Sequence, residues 1–89
     1  MELDELRSRI NEVDASLLPL FLERMRLSEA VAGVKKQKGL PVYNAAREQE
    51  ILDRVTREAG DMGGYARLFF TNLFELSRTR QRELMDEEP

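Results

Sequence analysis

The chain has 89 residues, 35% charged and 42% hydrophobic, with Lys+Arg 14 against Asp+Glu 17 and a formal net charge of −3. This composition is globular rather than disordered, gives room for one domain with a small core, and lacks the basic excess of a nucleic-acid-binding domain. With no cysteine and no histidine, a disulfide framework, a thiolate metal site, a thiol nucleophile and the usual general base are excluded, leaving carboxylates, amines, guanidinium groups, hydroxyls and amides.

The opening Met1-Glu2-Leu3-Asp4-Glu5 carries neither the basic region nor the apolar run of a signal peptide, and no apolar stretch reaches membrane-spanning length. A soluble cytoplasmic protein, with no nucleic-acid and no membrane partner, is the expectation. Leu3, Leu6, Ile10, Val13, Leu17, Leu20, Leu27, Val31 and Val34 recur three and four apart, predicting one long helix over about 3–37; the rhythm misses one beat, at Arg24. A seam of roughly 30 residues spans about 45 Å, more than so small a domain needs internally, so it predicts packing against a second copy of the chain. Pro19 removes the bond to the carbonyl of Ala15 and costs about 3 kcal/mol in a helix interior. Two helices broken before Pro19 are one reading; one kinked helix is preferred, because the seam keeps its phase and no Gly/Asn/Ser cluster marks a loop.

Gly39-Leu40-Pro41 ends that helix behind Lys35, Lys36 and Lys38, cations suited to the negative end of its dipole. Asn44 is the N-cap of a second helix over 45–59, with Ile51, Leu52 and Val55 as its apolar face. Gly60, Gly63 and Gly64 form the second turn. A third helix over 65–84 draws its apolar surface from Leu68, Phe69, Phe70, Leu73, Phe74, Leu76 and Leu84, and the acidic tail 85–89 is expected to fray. The fold class is all-α, a single domain over 1–89 with one long, one short and one medium helix.

The residues that break the amphipathic rule carry the functional information. Arg24 sits in the seam, and Lys35, eleven residues on, projects from nearly the same face after about three turns. Buried cations are costly unless an anion pairs with them, so two on one inward face suggest a site for an anionic ligand. The bland alternative is an Arg paired with an internal Glu and a Lys that snorkels to solvent. On the second helix Arg47 and Glu48 precede the apolar run, and Glu48 shares a face with Leu52 and Val55; a first-turn glutamate favoured by the helix dipole would look the same. On the third, Ser77 and Gln81 continue the stripe of Phe70, Leu73 and Phe74. No nucleophile–base couple appears among these positions. Such a set can bind a small polyanion and stabilise charge.

Along essentially its whole length the chain resembles the all-helical (AroQ-class) chorismate mutases, in Leu6-Arg7 through Ile10 and Asp14, Leu17-Leu18, Glu23-Arg24, Val34-Lys35, Pro41-Val42, Arg47-Glu48, and Ser77 with Gln81. The combination and spacing are specific where no single stretch is. The resemblance implies an isomerase that converts chorismate to prephenate in aromatic amino acid biosynthesis by a one-step Claisen rearrangement, without cofactor or metal, in an intertwined homodimer with shared sites. By that resemblance Arg24, and Arg7 of the partner protomer, grip the substrate carboxylates. Lys35 and Gln81 donate to the ether oxygen, Glu48 accepts from the ring hydroxyl, and Ser77, Arg47 and Asn44 complete the binding site. Lys35, Gln81 and Glu48 would be the catalytic set.

Spacing bears on the shared site independently. Arg7 and Arg24 lie about 25 Å apart along one helix and roughly 100° apart around it, so one chain cannot close both on a small molecule. An antiparallel two-fold partner can. Two departures from the family pattern are Asn44, where many relatives have aspartate, and Pro19, which threatens local bending near the site. The rivals are an isochorismate pyruvate lyase of the same fold, which Glu48 and Ser77 disfavour, and a non-catalytic helical module that docks on another shikimate-pathway enzyme. An unrelated coiled-coil adaptor leaves Arg24, Lys35, Glu48 and Gln81 unexplained as a set. A mutase activated by such a pathway enzyme would blend two of these, with that enzyme as a further partner.

Overall fold

The computed structural model describes residues 1–86. Helix α1 runs Leu3–Lys38, α2 runs Ala45–Glu58, a single 3-10 turn covers Gly60–Met62, and α3 runs Gly63–Asp86. There is no strand among the described residues, so the fold is all-α, and no helix of it is long and apolar enough to cross a membrane.

Helix α1 continues unbroken through Pro19, as the in-phase seam predicts. Ala15 and Pro19 are both exposed, so water can take the hydrogen bond that the proline cannot make. At its far end Gly39 adopts φ 67° and ψ 30°, a left-handed conformation that glycine reaches without a Cβ penalty. The Leu40 N–H donates to the Lys35 carbonyl at 2.8 Å and the Gly39 N–H to the Lys36 carbonyl at 3.3 Å, the paired bonds of a Schellman cap. Asn44 caps α2 by accepting the Arg47 N–H at 3.1 Å.

The third helix departs from expectation at both ends. It begins at Gly63, two residues earlier than the glycine pattern predicts, so Gly63 and Gly64 belong to the helix and not to the turn. The physical reason is a close approach: a Cβ at Gly63 would lie 2.6 Å from the Thr56 carbonyl oxygen, so glycine here permits helix contact rather than a bend. Met85 and Asp86, expected in the frayed tail, are helical; the rest of that tail, 87–89, lies outside the described residues.

Helix α3 is the spine. Both α1 and α2 pack on it, and not on each other. The α2–α3 seam is the core, with Ile51, Val55 and Phe74 buried and Leu52, Ala66 and Phe70 packed around them. Phe70 meets Phe69 and Phe74 edge-on, with ring centroids 5.6 Å and 6.4 Å away. Of the apolar surface of α3, Leu73 and Phe74 are buried while Leu68, Phe69 and Leu76 are exposed.

Helix α1 packs on α3, with Ser28 and Ala32 as its buried residues. A surface clamp reinforces that contact: Glu29 accepts from Arg80 Nε at 2.9 Å and from Arg26 at 3.1 Å, and Arg80 reaches Glu83 at 3.2 Å. Residues 1–20 are exposed without exception, including Ile10 at 57% and Val13 at 64%. A helix of 36 residues is about 54 Å long, and the molecule measures 55 × 26 × 14 Å, so α1 alone spans its long dimension.

Candidate active site

Helix geometry places Arg24, Ser28, Ala32 and Lys35 on one face of α1, at intervals of four and three residues. That face looks onto Ser77 and Gln81, one turn apart on α3 and both buried. Arg24 Nη1 donates to Ser77 Oγ at 2.8 Å. Ser28 Oγ and Ser77 Oγ are 3.0 Å apart. The guanidinium carbon of Arg24 also sits 5.7 Å from the centroid of the Phe74 ring, within cation–π range. Among the described residues no carboxylate pairs with Arg24, so the bland alternative of an internal Arg–Glu pair is not what forms. Partial burial lowers the affinity of its guanidinium for its proton, and the nearby charge of Arg47 adds to that. Arg24 therefore lies in a positive field that an anion would relieve.

Lys35 Nζ donates to the Val42 carbonyl at 2.6 Å and to Gln81 Oε1 at 3.2 Å. It does not snorkel away. Because the amide oxygen of Gln81 accepts from Lys35, its amide nitrogen is the group left to donate elsewhere.

From α2, Glu48 enters the same space, and Arg78 of α3 donates from Nη1 to both oxygens of its carboxylate. The pair is largely shielded, with side-chain exposures of 20% and 21%. Hydrogen bonding to Glu48 holds the guanidinium of Arg78 above its ordinary pKa. The carbon of that guanidinium also lies 5.1 Å from the Tyr43 ring centroid.

These side chains enclose a cavity of about 300 Å3, at the lower end of the usual range for small-molecule sites. Every expected site residue except Arg7 lines it: Arg24, Lys35, Asn44, Arg47, Glu48, Ser77 and Gln81. Arg7 is exposed, in the second turn of α1. Three lining residues escaped the sequence reading. Ser28 had no signal beyond being a small polar residue one turn after Arg24. The Val42 carbonyl is a backbone group that no side-chain pattern reports. Arg78 could have been found, because it follows Phe70 and Phe74 at four-residue spacing and so interrupts an apolar stripe as Arg24 does.

The cavity sets four cationic side chains, Arg24, Lys35, Arg47 and Arg78, around one carboxylate, Glu48. Ser28 bonds to Ser77, and Ser77 also accepts from Arg24; neither hydroxyl bonds to a carboxylate among the described residues. Such a site can hold a compact molecule bearing more than one carboxylate and stabilise negative charge that develops between Lys35 and Gln81.

Residues 6–82 match a family described as chorismate mutase type II. The chain is 39% identical over 56 residues to the chorismate mutase of Methanocaldococcus jannaschii, covering 63% of this chain and 57% of that protein. It is 36% identical over 56 residues to the bifunctional chorismate mutase/prephenate dehydratase of Aquifex aeolicus, covering 63% of this chain and 16% of that protein. A 4-amino-4-deoxychorismate mutase of Streptomyces venezuelae is 29% identical over 85 residues, 96% of this chain and 82% of that protein. The match thus spans a little over half of the first relative's length and a small part of the second's. No solved structure matches the chain.

Proposed function

The chain belongs to the type II chorismate mutase family, and we propose that it catalyses the rearrangement of chorismate to prephenate on the route to aromatic amino acids. One observation carries this reading: Lys35 of α1 donates to the Gln81 amide oxygen of α3 at 3.2 Å, and both line a cavity that also holds Arg24, Glu48 and Ser77. In the reaction the ether C–O bond breaks as a C–C bond forms, in one step and with no proton transferred. A chain without histidine or cysteine is no worse equipped for such a step. The protein must hold the dicarboxylate in a compact chair-like conformer and stabilise the charge that builds on the ether oxygen.

Arg24 takes one carboxylate, with Ser77 as the hydroxyl that steers its guanidinium. Lys35 supplies charge to the ether oxygen, and the amide nitrogen of Gln81 supplies a neutral donor. Glu48 accepts from the ring hydroxyl: an ionised carboxylate offers about four lone-pair directions, so the two bonds from Arg78 leave room for a third. Arg47 and Asn44 complete the lining, Asn44 also capping α2.

The second carboxylate falls to Arg7 of a second copy, in an intertwined homodimer with two shared sites. The exposure of residues 1–20 together with the absence of Arg7 from the lining of its own cavity supports this. Leu3, Leu6, Ile10, Val13 and Leu17 form an apolar stripe that a monomer leaves in water, and stripes of that extent mark association surfaces. The presence of Glu48 and Ser77 at the cavity favours the mutase over a lyase of the same fold. The name of the Streptomyces relative sets a second substrate beside chorismate, its 4-amino-4-deoxy analogue, and the surroundings of Glu48 bear on which one fits.

Incubating the purified chain with chorismate, and following its loss alongside prephenate, tests the reading. Turnover without added metal or cofactor is expected. No turnover, alone or with an added shikimate-pathway enzyme, overturns it.

A further inference from the structure

Arg78 is a cavity cation to which the proposed mechanism gives no substrate contact. Its guanidinium is fixed from two sides, by the Glu48 carboxylate and by the ring of Tyr43, 5.1 Å away. Turning it outward would lose both contacts and leave Glu48 as a partly shielded, unpaired charge. The positive charge therefore stays beside the one carboxylate of the cavity, at the position where the substrate ring substituent meets the protein in the reading above, on which this inference rests.

The two candidate ring substituents differ in charge. A hydroxyl is neutral and needs only an acceptor lone pair, which Glu48 retains after bonding Arg78. An aliphatic amine is protonated at neutral pH and would need a carboxylate whose charge is not already matched. With Arg24, Lys35, Arg47 and Arg78 around Glu48, an added ammonium meets a surplus of like charge. We propose that Arg78 is the specificity-determining residue of this site: by matching the charge of Glu48, it admits a substrate whose ring carries a hydroxyl and rejects the analogue whose ring carries an amine.

The test compares kcat/KM for chorismate and for 4-amino-4-deoxychorismate in the wild-type chain, in Arg78→Gln and in Arg78→Lys, with each variant's fold checked by circular dichroism. The wild type should prefer the hydroxyl compound. Arg78→Gln should move the ratio of the two kcat/KM values toward the amine by about tenfold or more. Arg78→Lys, which keeps the charge but not the forked geometry, should hold the wild-type ratio even if both rates fall. A merely structural arginine would lower both rates together and leave the ratio unmoved in the Gln variant. That result, a wild type that already prefers the amine, or a Lys variant that shifts as far as the Gln variant overturns the proposal alone. Turnover of neither compound by the wild type overturns the reaction reading and the proposal with it.

Discussion

Lys35 and Gln81 stand 46 positions apart in the chain, and their side chains meet at 3.2 Å, ammonium to amide oxygen. The contact fixes the orientation of the amide as well as its place. With its oxygen committed to Lys35, Gln81 keeps its amide nitrogen as the free donor, and in the proposed mechanism the two residues act as a donor pair on the ether oxygen.

Lys35→Ala removes the charged member of that pair. Loss of one preorganised donor to a developing oxyanion costs about 10²–10³-fold in kcat. The expected signature is a fall in kcat with a smaller change in KM, measured on chorismate loss, since the lost interaction is made mainly in the transition state. An unchanged kcat would remove Lys35 from the mechanism.

If each site takes Arg24 from one copy and Arg7 from the other, Arg7→Ala and Arg24→Ala should each be nearly inactive alone. Mixed and allowed to exchange, half of the dimers become heterodimers with one intact site, so activity should return to about a quarter of the wild-type level. Activity that stays flat through exchange would refute the shared site.

The clamp between α1 and α3 predicts a pH dependence of stability. Hydrogen bonds from Arg80 first, and then from Arg26, hold the Glu29 carboxylate below its usual pKa. A depressed folded-state pKa means the unfolded chain binds the proton more readily. The stabilisation is therefore complete above the ordinary carboxylate range and is lost as pH falls through the folded-state value. Thermal melts from neutral into acid should show a shallower loss of Tm in Glu29→Gln than in the wild type. Parallel slopes for the two proteins would mean the clamp contributes nothing.

Adjacent glycines should respond oppositely to alanine. At Gly63 the new methyl would meet the Thr56 carbonyl oxygen at 2.6 Å, a backbone atom that cannot rotate away, and overpacking of this kind costs about 1–3 kcal/mol. At Gly64 nothing lies within 4 Å, and alanine in a helix gains up to about 1 kcal/mol over glycine. Denaturant midpoints of Gly63→Ala and Gly64→Ala should shift down and up respectively; a neutral Gly63→Ala would show that α2 and α3 have slack at that crossing.

The long helix was legible because its seam kept phase across Pro19, and Arg24 because it broke that seam. Ser77 and Gln81 were legible as polar residues on an apolar stripe, and both are buried facing Arg24 and Lys35. What escaped is of two kinds. The start of α3 was misplaced because glycine signals both a bend and a close approach, and only the position of the Thr56 carbonyl distinguishes them. Arg78 was passed over although it interrupts the stripe of Phe70 and Phe74, because a helix rich in arginine hides one more, and its partner Glu48 comes from another helix. Long-range pairing of that sort has no period in the sequence.

Lys35 is secured at both ends of the residue. Its carbonyl receives the Leu40 N–H at 2.8 Å and its ammonium reaches the Val42 carbonyl at 2.6 Å, so the 39–44 connection both terminates α1 and aims the charge at the cavity. Surface connections ordinarily tolerate added length at small entropic cost. Here a residue inserted between Gly39 and Val42 should disturb the 2.6 Å contact that holds the Lys35 ammonium, and on the proposed mechanism it should lower kcat on chorismate while circular dichroism shows the helices unchanged. The turn is a ruler, and its length is as much a part of the chemistry as any side chain it carries.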